Sequence, residues 1–155
     1  MARKYFIGID PGKSGAMAII HVGNTGVLSV TITPFDEERY IRELKEIHIN
    51  TGDKCVACLE RVGAMPNQGV KSMFTFGTNY GFIQGLLAMK RIPYETIPPQ
   101  KWKKEYSLGK DKSASVATAK KLFPDVSLLP TDKSKKENDG MAEALLMAEY
   151  ARRHL

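Results

Sequence analysis

The chain opens on an apolar run, Tyr5-Phe6-Ile7-Gly8-Ile9, that stops at Asp10. A short run of this kind with turn residues behind it predicts a buried strand over Lys4–Asp10. Asp10-Pro-Gly-Lys-Ser-Gly15 reads as a tight turn, and Ala16–Val22 as a second strand. Gly23-Asn-Thr-Gly26 supplies a hairpin turn before a third strand at Val27–Thr33, so antiparallel strands are expected in succession. The period then changes. Asp36-Glu-Glu-Arg places acids where a helix dipole favours them, and Tyr40, Ile41, Leu44 and Ile47 recur at helical spacing. Lys54–Glu60 returns to a continuous apolar run, as a central strand covered on both faces does.

Beyond Glu60 the turn residues Gly63, Pro66 and Gly69 mark Arg61–Val70 as a loop. Lys71–Lys90 reads as a helix and Tyr94–Ile97 as a fifth strand. Pro98-Pro99 opens a short helical turn through Trp102 and Lys104, and Ser107–Lys112 is a polar loop. Ser113–Phe123 reads as a helix, Pro124–Asn138 as a long lysine-rich loop, and Asp139 to Arg153 as the closing helix. The expected fold is an α/β domain over residues 1–155, with a mixed five-stranded sheet and helices on both faces. Three antiparallel strands would come first and two parallel ones after. This element order is similar to the ribonuclease H-like fold, in which strands one and four are central neighbours.

Four carboxylates interrupt the apolar segments: Asp10 and Glu60 end strands, while Asp139 and Glu143 open the last helix. Residues four apart on a helix share a face, so Asp139 and Glu143 form a pair. The rest of Asp139–Ala148 is apolar nearly all round, which predicts burial. Asp139 also has the chemistry of a helix N-cap. Buried acids need neutralising, and a divalent cation shared among three elements is the economical answer. The donors are all oxygen, and His21, His48 and His154 lie away from them in the chain, which favours Mg²⁺ or Mn²⁺ over zinc. Four acids could hold two ions per site, the arrangement of two-metal phosphodiester hydrolysis.

Charge adds a direction. The net charge is +6, and residues 101–136 carry ten lysines against four acids, the same excess as the whole chain. A focused basic patch favours a polyanionic partner. Lys101, Lys103 and Lys104 flank Trp102, and Lys110 and Lys112 follow in a loop, where they could hold DNA phosphates or offset transition-state charge. Trp102 itself reads more readily as core packing. Met65, Asn67 and Gln68 lie in the loop that follows Glu60, placed to probe bases; Lys13 and Lys71 border the same region. Gly77, Gly81 and Gly85 form a smooth stripe on one helix face, suited to packing on the sheet or to a seam between two copies. Cys55 and Cys58 fall mid-strand at a spacing that faces opposite sides, which predicts two buried thiols. No apolar run approaches the ~20 residues of a membrane helix, and Met1-Ala-Arg-Lys-Tyr lacks the apolar stretch of a leader. A cytoplasmic protein of a bacterial or virus-infected cell, without membrane contact, is therefore expected.

Several segments carry a family resemblance. Phe6-Ile-Gly-Ile-Asp-Pro-Gly-Lys-Ser-Gly-Ala16 resembles the opening strand and turn of RuvC-type Holliday junction resolvases, and Cys58-Leu-Glu60 their second acidic strand. Asp139-Gly-Met-Ala-Glu-Ala-Leu-Leu-Met-Ala148 resembles their closing helix, with the acids four apart as in the phage and chloroplast branches. Met65-Pro-Asn-Gln-Gly69, Phe76-Gly-Thr-Asn-Tyr-Gly81 and Pro98-Pro-Gln-Lys-Trp-Lys103 point to the same branches. The resemblance implies a homodimeric, Mg²⁺-dependent endodeoxyribonuclease that cuts opposed strands of a four-way junction, with Asp10, Glu60, Asp139 and Glu143 as metal-binding acids. Glu143 stands where the bacterial pattern ends on Asp, which leaves open which helix acid meets which ion. Sugar and acetate kinases also resemble this fold and begin with an Asp-x-Gly turn, but they need two such domains, so no nucleotide cofactor is expected. A related nuclease acting on RNA or other branched DNA, and a non-catalytic junction-binding module, are the remaining alternatives.

Overall fold

The computed structural model describes residues 2, 4–47 and 52–155; Met1, Arg3 and His48 to Thr51 lie outside the described residues. Five strands form one sheet: β1 (Lys4–Asp10), β2 (Ala16–Gly23), β3 (Gly26–Pro34), β4 (Lys54–Glu60) and β5 (Tyr94–Ile97). Their order is β3-β2-β1-β4-β5, with β1–β2 and β2–β3 antiparallel and β1–β4 and β4–β5 parallel. This is the mixed sheet of a ribonuclease H-like fold, with strands β1 and β4 side by side at its centre. Both are buried on both faces, which is why their sequences are continuous apolar runs.

The helices are α1 (Glu37–Glu46), α2 (Val70–Met89), α3 (Pro99–Glu105), α4 (Lys112–Leu122) and α5 (Asp139–His154). The strand pleat sorts side chains to two cores. Tyr5, Ile7, Ile9, Ala57 and Leu59 pack with Tyr40 and Leu44 of α1 and Ile83 and Leu87 of α2. Phe6, Val56 and Cys58 pack on the other face with Trp102 of α3, Ala119 of α4 and the body of α5. Cys55 and Cys58 accordingly enter different cores as free thiols. Burial pushes each thiol up to about 12, and the nearby acids Glu60 and Glu95 add to the effect at Cys58.

Every residue of α5 from Gly140 to Ala151 is buried, as its apolar circumference requires. Two glycines set its position. A side chain on Gly8 would overlap the backbone of Ala144, Met147 and Ala148, so α5 crosses β1 backbone against backbone. A side chain on Gly140 would overlap the Ser14 carbonyl, so the start of α5 rests on the β1–β2 turn. The helix begins with Asn138, not Asp139, as its cap: the Asn138 side-chain oxygen accepts from the Met141 N–H at 2.9 Å. That corrects the cap expected at Asp139, whose carboxylate is left for other partners.

Helix α3 and the residue that ends it are tied to α5 by polar contacts. The Tyr106 hydroxyl donates to the Leu146 carbonyl at 2.7 Å, and Arg153 reaches Glu105 at 3.1 Å. Arg152 and Arg153 both converge on buried Glu149, at 2.6 Å and 2.8 Å. Burial alone would raise the Glu149 carboxyl, but the paired guanidinium donors overcome it and hold the group below its usual range. Among the described residues no helix is long and apolar enough to cross a membrane.

Candidate active site

The four acids meet at the carboxyl end of the central strands. Asp10 and Glu60 terminate neighbouring parallel strands, and α5 carries Asp139 and Glu143 over that edge because of its contacts at Gly8 and Gly140. Glu143 is only 9% exposed and Asp10 and Glu60 are half-buried. The Gly12 N–H donates to Asp10 Oδ1 at 3.0 Å, closing the turn under the carboxylate.

Electrostatics confirms how tightly the acids crowd. Burial first, and then the negative charge of Asp10, raise the Glu143 carboxyl to about 7; Lys103 opposes the rise and Glu60 adds to it. Burial also raises Asp10, against the lowering effect of the Gly12 N–H and of a hydrogen bond from Glu143. The physical picture is a shared proton, with Glu143 the donor and Asp10 the acceptor. Burial raises Glu60 as well, and Asp10 adds to it, while the Trp102 indole opposes the rise.

Three side chains partner the acids. Trp102, fully buried, donates from Nε1 to Glu60 Oε2 at 2.8 Å. Lys103 Nζ lies 3.9 Å from Glu143 Oε1, and Lys112 Nζ 3.2 Å from Asp139 Oδ2. Among the described residues no three acidic, histidine or cysteine side chains are drawn together closely enough to hold an ion as they stand. The donors themselves are oxygen only, the set that suits Mg²⁺ or Mn²⁺, and the raised proton affinities mark a place short of positive charge.

The remaining residues singled out in the sequence fall into two groups on opposite faces of the sheet edge. Lys103, Lys104 and Lys110 line an open cavity of ≈ 570 Å³ beside α3. Lys101 is exposed but does not line it. Lys13, Met65, Gln68 and Lys71 line a second cavity, of ≈ 470 Å³, against α2. Asn67 is not part of that lining; it sits at φ 66, a conformation Asn tolerates better than most residues, and so serves the turn.

Sequence reasoning treated Trp102 as either core or DNA contact. It is core, and it also orients an acid. A fully buried indole must place its N–H, so a carboxylate partner was a readable demand. Phe76 and Asn79, which line the α2 cavity, fall in the Phe76–Gly81 segment that carries the resemblance, but helix periodicity by itself assigns them no role. Gly77, Gly81 and Gly85 are exposed, with nothing within 4 Å of an added side chain, so they do not pack on the sheet.

No family model matches the sequence, and no curated protein matches it. Solved structures do resemble the fold. T. thermophilus RuvC in complex with a Holliday junction substrate has a TM-score of 0.63 at 13% identity, covering 98% of this chain and 96% of that one. A second Thermus thermophilus RuvC structure has a TM-score of 0.55 at 16% identity, covering 97% and 96%. Strand order, helix placement and these full-length superpositions agree that the chain has the RuvC-like, ribonuclease H-like fold.

Proposed function

We propose that this chain is a structure-selective endodeoxyribonuclease that resolves four-way DNA junctions by hydrolysing phosphodiesters on opposed strands. The observation that carries the reading is the desolvated cluster of Asp10, Glu60 and Glu143, with Asp139 at its margin and Lys103 and Lys112 paired to two of its acids. A module that only bound DNA would gain nothing from desolvated acids beside a polyanion. The likeness to RuvC, solved on a Holliday junction, supports a junction as the substrate.

Asp10, Glu60, Asp139 and Glu143 would hold two Mg²⁺ ions, or Mn²⁺ in their place, which supply an activated water and charge stabilisation at the leaving oxygen. The chain's own residues do the rest. Trp102 restrains Glu60 by donating to Oε2, which leaves Oε1 without a side-chain donor of its own in that bond. Lys103 and Lys112 pair with Glu143 and Asp139, and their flexible ammoniums would be free for DNA phosphates where those acids held metal ions. Lys13, Lys71, Lys101, Lys104 and Lys110 add sequence-independent affinity.

Symmetric cutting calls for two copies. The exposed glycine stripe of α2, flanked by Val70, Phe74 and Met89 at 88%, 77% and 84% exposure, is the seam proposed for a homodimer. Small residues there let two backbones approach, and the bulky apolar neighbours gain by leaving water.

The test is cleavage of a synthetic four-way junction and of a linear duplex of the same sequence, with and without Mg²⁺. Paired nicks on opposed strands of the junction, abolished by Asp10→Asn, are expected. Intact junctions with Mg²⁺ present would sink the reading, and equal cutting of linear duplex would remove its structural selectivity.

A further inference from the structure

Tyr40 of α1 carries a polar atom that its core does not use. The residue is 1% exposed, meets Phe35 edge-on at 5.3 Å, and belongs to the apolar cluster that includes Ile9, Met17 and Leu44. Among the described residues two buried side-chain polar atoms lack a hydrogen-bond partner, His21 Nε2 and the Tyr40 hydroxyl. The Tyr106 hydroxyl, by contrast, donates to the Leu146 carbonyl. An unpaired hydroxyl in such a place is costly, and phenylalanine would fill the space without it.

The two atoms belong to opposite ends of the sheet. His21 pairs with Tyr5 near the start of β1, whereas α1 begins at the acid end. Asp10 pairs with Ala16 and Ala16 with Pro34, so the ends of β1 and β3 flank one residue of β2. The Phe35 N–H then donates to the Gly15 carbonyl at 3.0 Å, and Asp36 caps the helix that carries Tyr40. Burial first, and then the negative charge of Asp10, push the Tyr40 hydroxyl above its ordinary range. The Asp10 carboxylate already takes the Gly12 N–H on Oδ1 and a hydrogen bond from Glu143. A carboxylate has about four lone-pair sites, which leaves capacity for a further donor. Glu143 is a proposed ion ligand in its own right and so is no fixed support for Asp10. Tyr40 has no other polar duty.

We propose that Tyr40 is a positioning residue of the acid cluster: from the core shared by β1 and α1, its hydroxyl donates to Asp10 through one bridging water and holds that carboxylate in its ion-binding orientation. Distance requires the water, since no acceptor lies within direct hydrogen-bond reach of the hydroxyl. The inference rests on the nuclease reading above and deepens it. A ligand oriented before the ion arrives has less freedom to lose, and removing such outer support typically weakens metal binding by ~10–100-fold.

The experiment follows Mn²⁺ binding to the full chain without DNA, by titration calorimetry and by the rise in melting temperature with ion concentration, which reads occupancy apart from catalysis. Tyr40→Phe should weaken Mn²⁺ binding by about tenfold or more. Leu44→Met changes the same core without touching a polar atom and should bind Mn²⁺ as the wild type does. Both variants should melt cooperatively in EDTA, as intact folds. With a four-way junction, Tyr40→Phe should need about tenfold more Mg²⁺ for half-maximal cutting, while junction binding in EDTA stays unchanged. Unaltered Mn²⁺ affinity in Tyr40→Phe, or an equal loss in Leu44→Met, overturns the positioning role, and the nuclease reading then stands on the wild type's cutting of junctions. A wild-type protein that neither binds Mn²⁺ nor cuts a junction overturns both.

Discussion

Glu143→Gln tests the burial argument directly. The substitution removes the charge but keeps a donor toward Asp10, which is the role that the protonated carboxyl plays. Burial first, and then the Asp10 charge, raise the Glu143 carboxyl from 4.5 to about 7. At about 1.4 kcal/mol for each tenfold change in proton affinity, ionising this group costs the fold about 3 kcal/mol. The folded value lies above the unfolded one, so the native state binds the proton more tightly. Wild-type stability is therefore highest below 4.5, falls as pH rises toward about 7, and carries the full penalty beyond that. Glutamine never ionises. Variant and wild type should match near pH 4, and the variant should be about 3 kcal/mol more stable at about pH 8, roughly 6–12 °C in melting temperature for a chain of this size. Circular-dichroism melts in EDTA measure the difference. Adding Mg²⁺ at about pH 8 should narrow the gap, since an ion at ~100 times its Kd stabilises the wild type by ~2.7 kcal/mol. A variant advantage that is the same at both pH values, or absent at the higher one, refutes the reasoning.

Trp102→Phe keeps most of the ring volume but deletes the donor to Glu60; junction cleavage should fall at least tenfold with a stability loss of about 1–2 kcal/mol in urea titration. Gly140→Ala drives a methyl into the Ser14 carbonyl and must displace the start of α5, so unfolding in urea should shift by about 2 kcal/mol or more. If Gly140→Ala is neutral, the helix is not seated on the turn as described. With burial raising Cys55 and Cys58 to about 12, neither thiol should react with a maleimide at neutral pH until denaturant is added, as mass spectrometry would show.

Element order and type were legible because each element obeys one dominant rule. Central strands buried on both faces read as apolar runs, and β4 and β5 lie where turn residues bracket them. Boundaries moved by a residue or so: the closing helix runs to His154, and α2 begins at Val70. The cap of α5 was missed because Asn138 and Asp139 are adjacent and chemically equal to the task; local backbone geometry chose Asn138. The glycine stripe could not be oriented from sequence, since a glycine carries no apolar or polar mark of which way it faces. Only the packed helix turned it outward.

By itself, then, the sequence determined where the acids fall on their elements: two at strand ends and two a helical turn apart, because strand termination and helix period are local properties. Tertiary structure decided what those acids are to one another. Close approach at Gly8 and Gly140 lays α5 across β1, and that crossing buries Glu143 against Asp10 and raises its proton affinity. The ties from Tyr106 and Glu105 to α5 hold α3 in place, and so bring the Trp102 indole to Glu60. Desolvation and Coulomb repulsion depend on distances between segments far apart in the chain, and no local pattern encodes them.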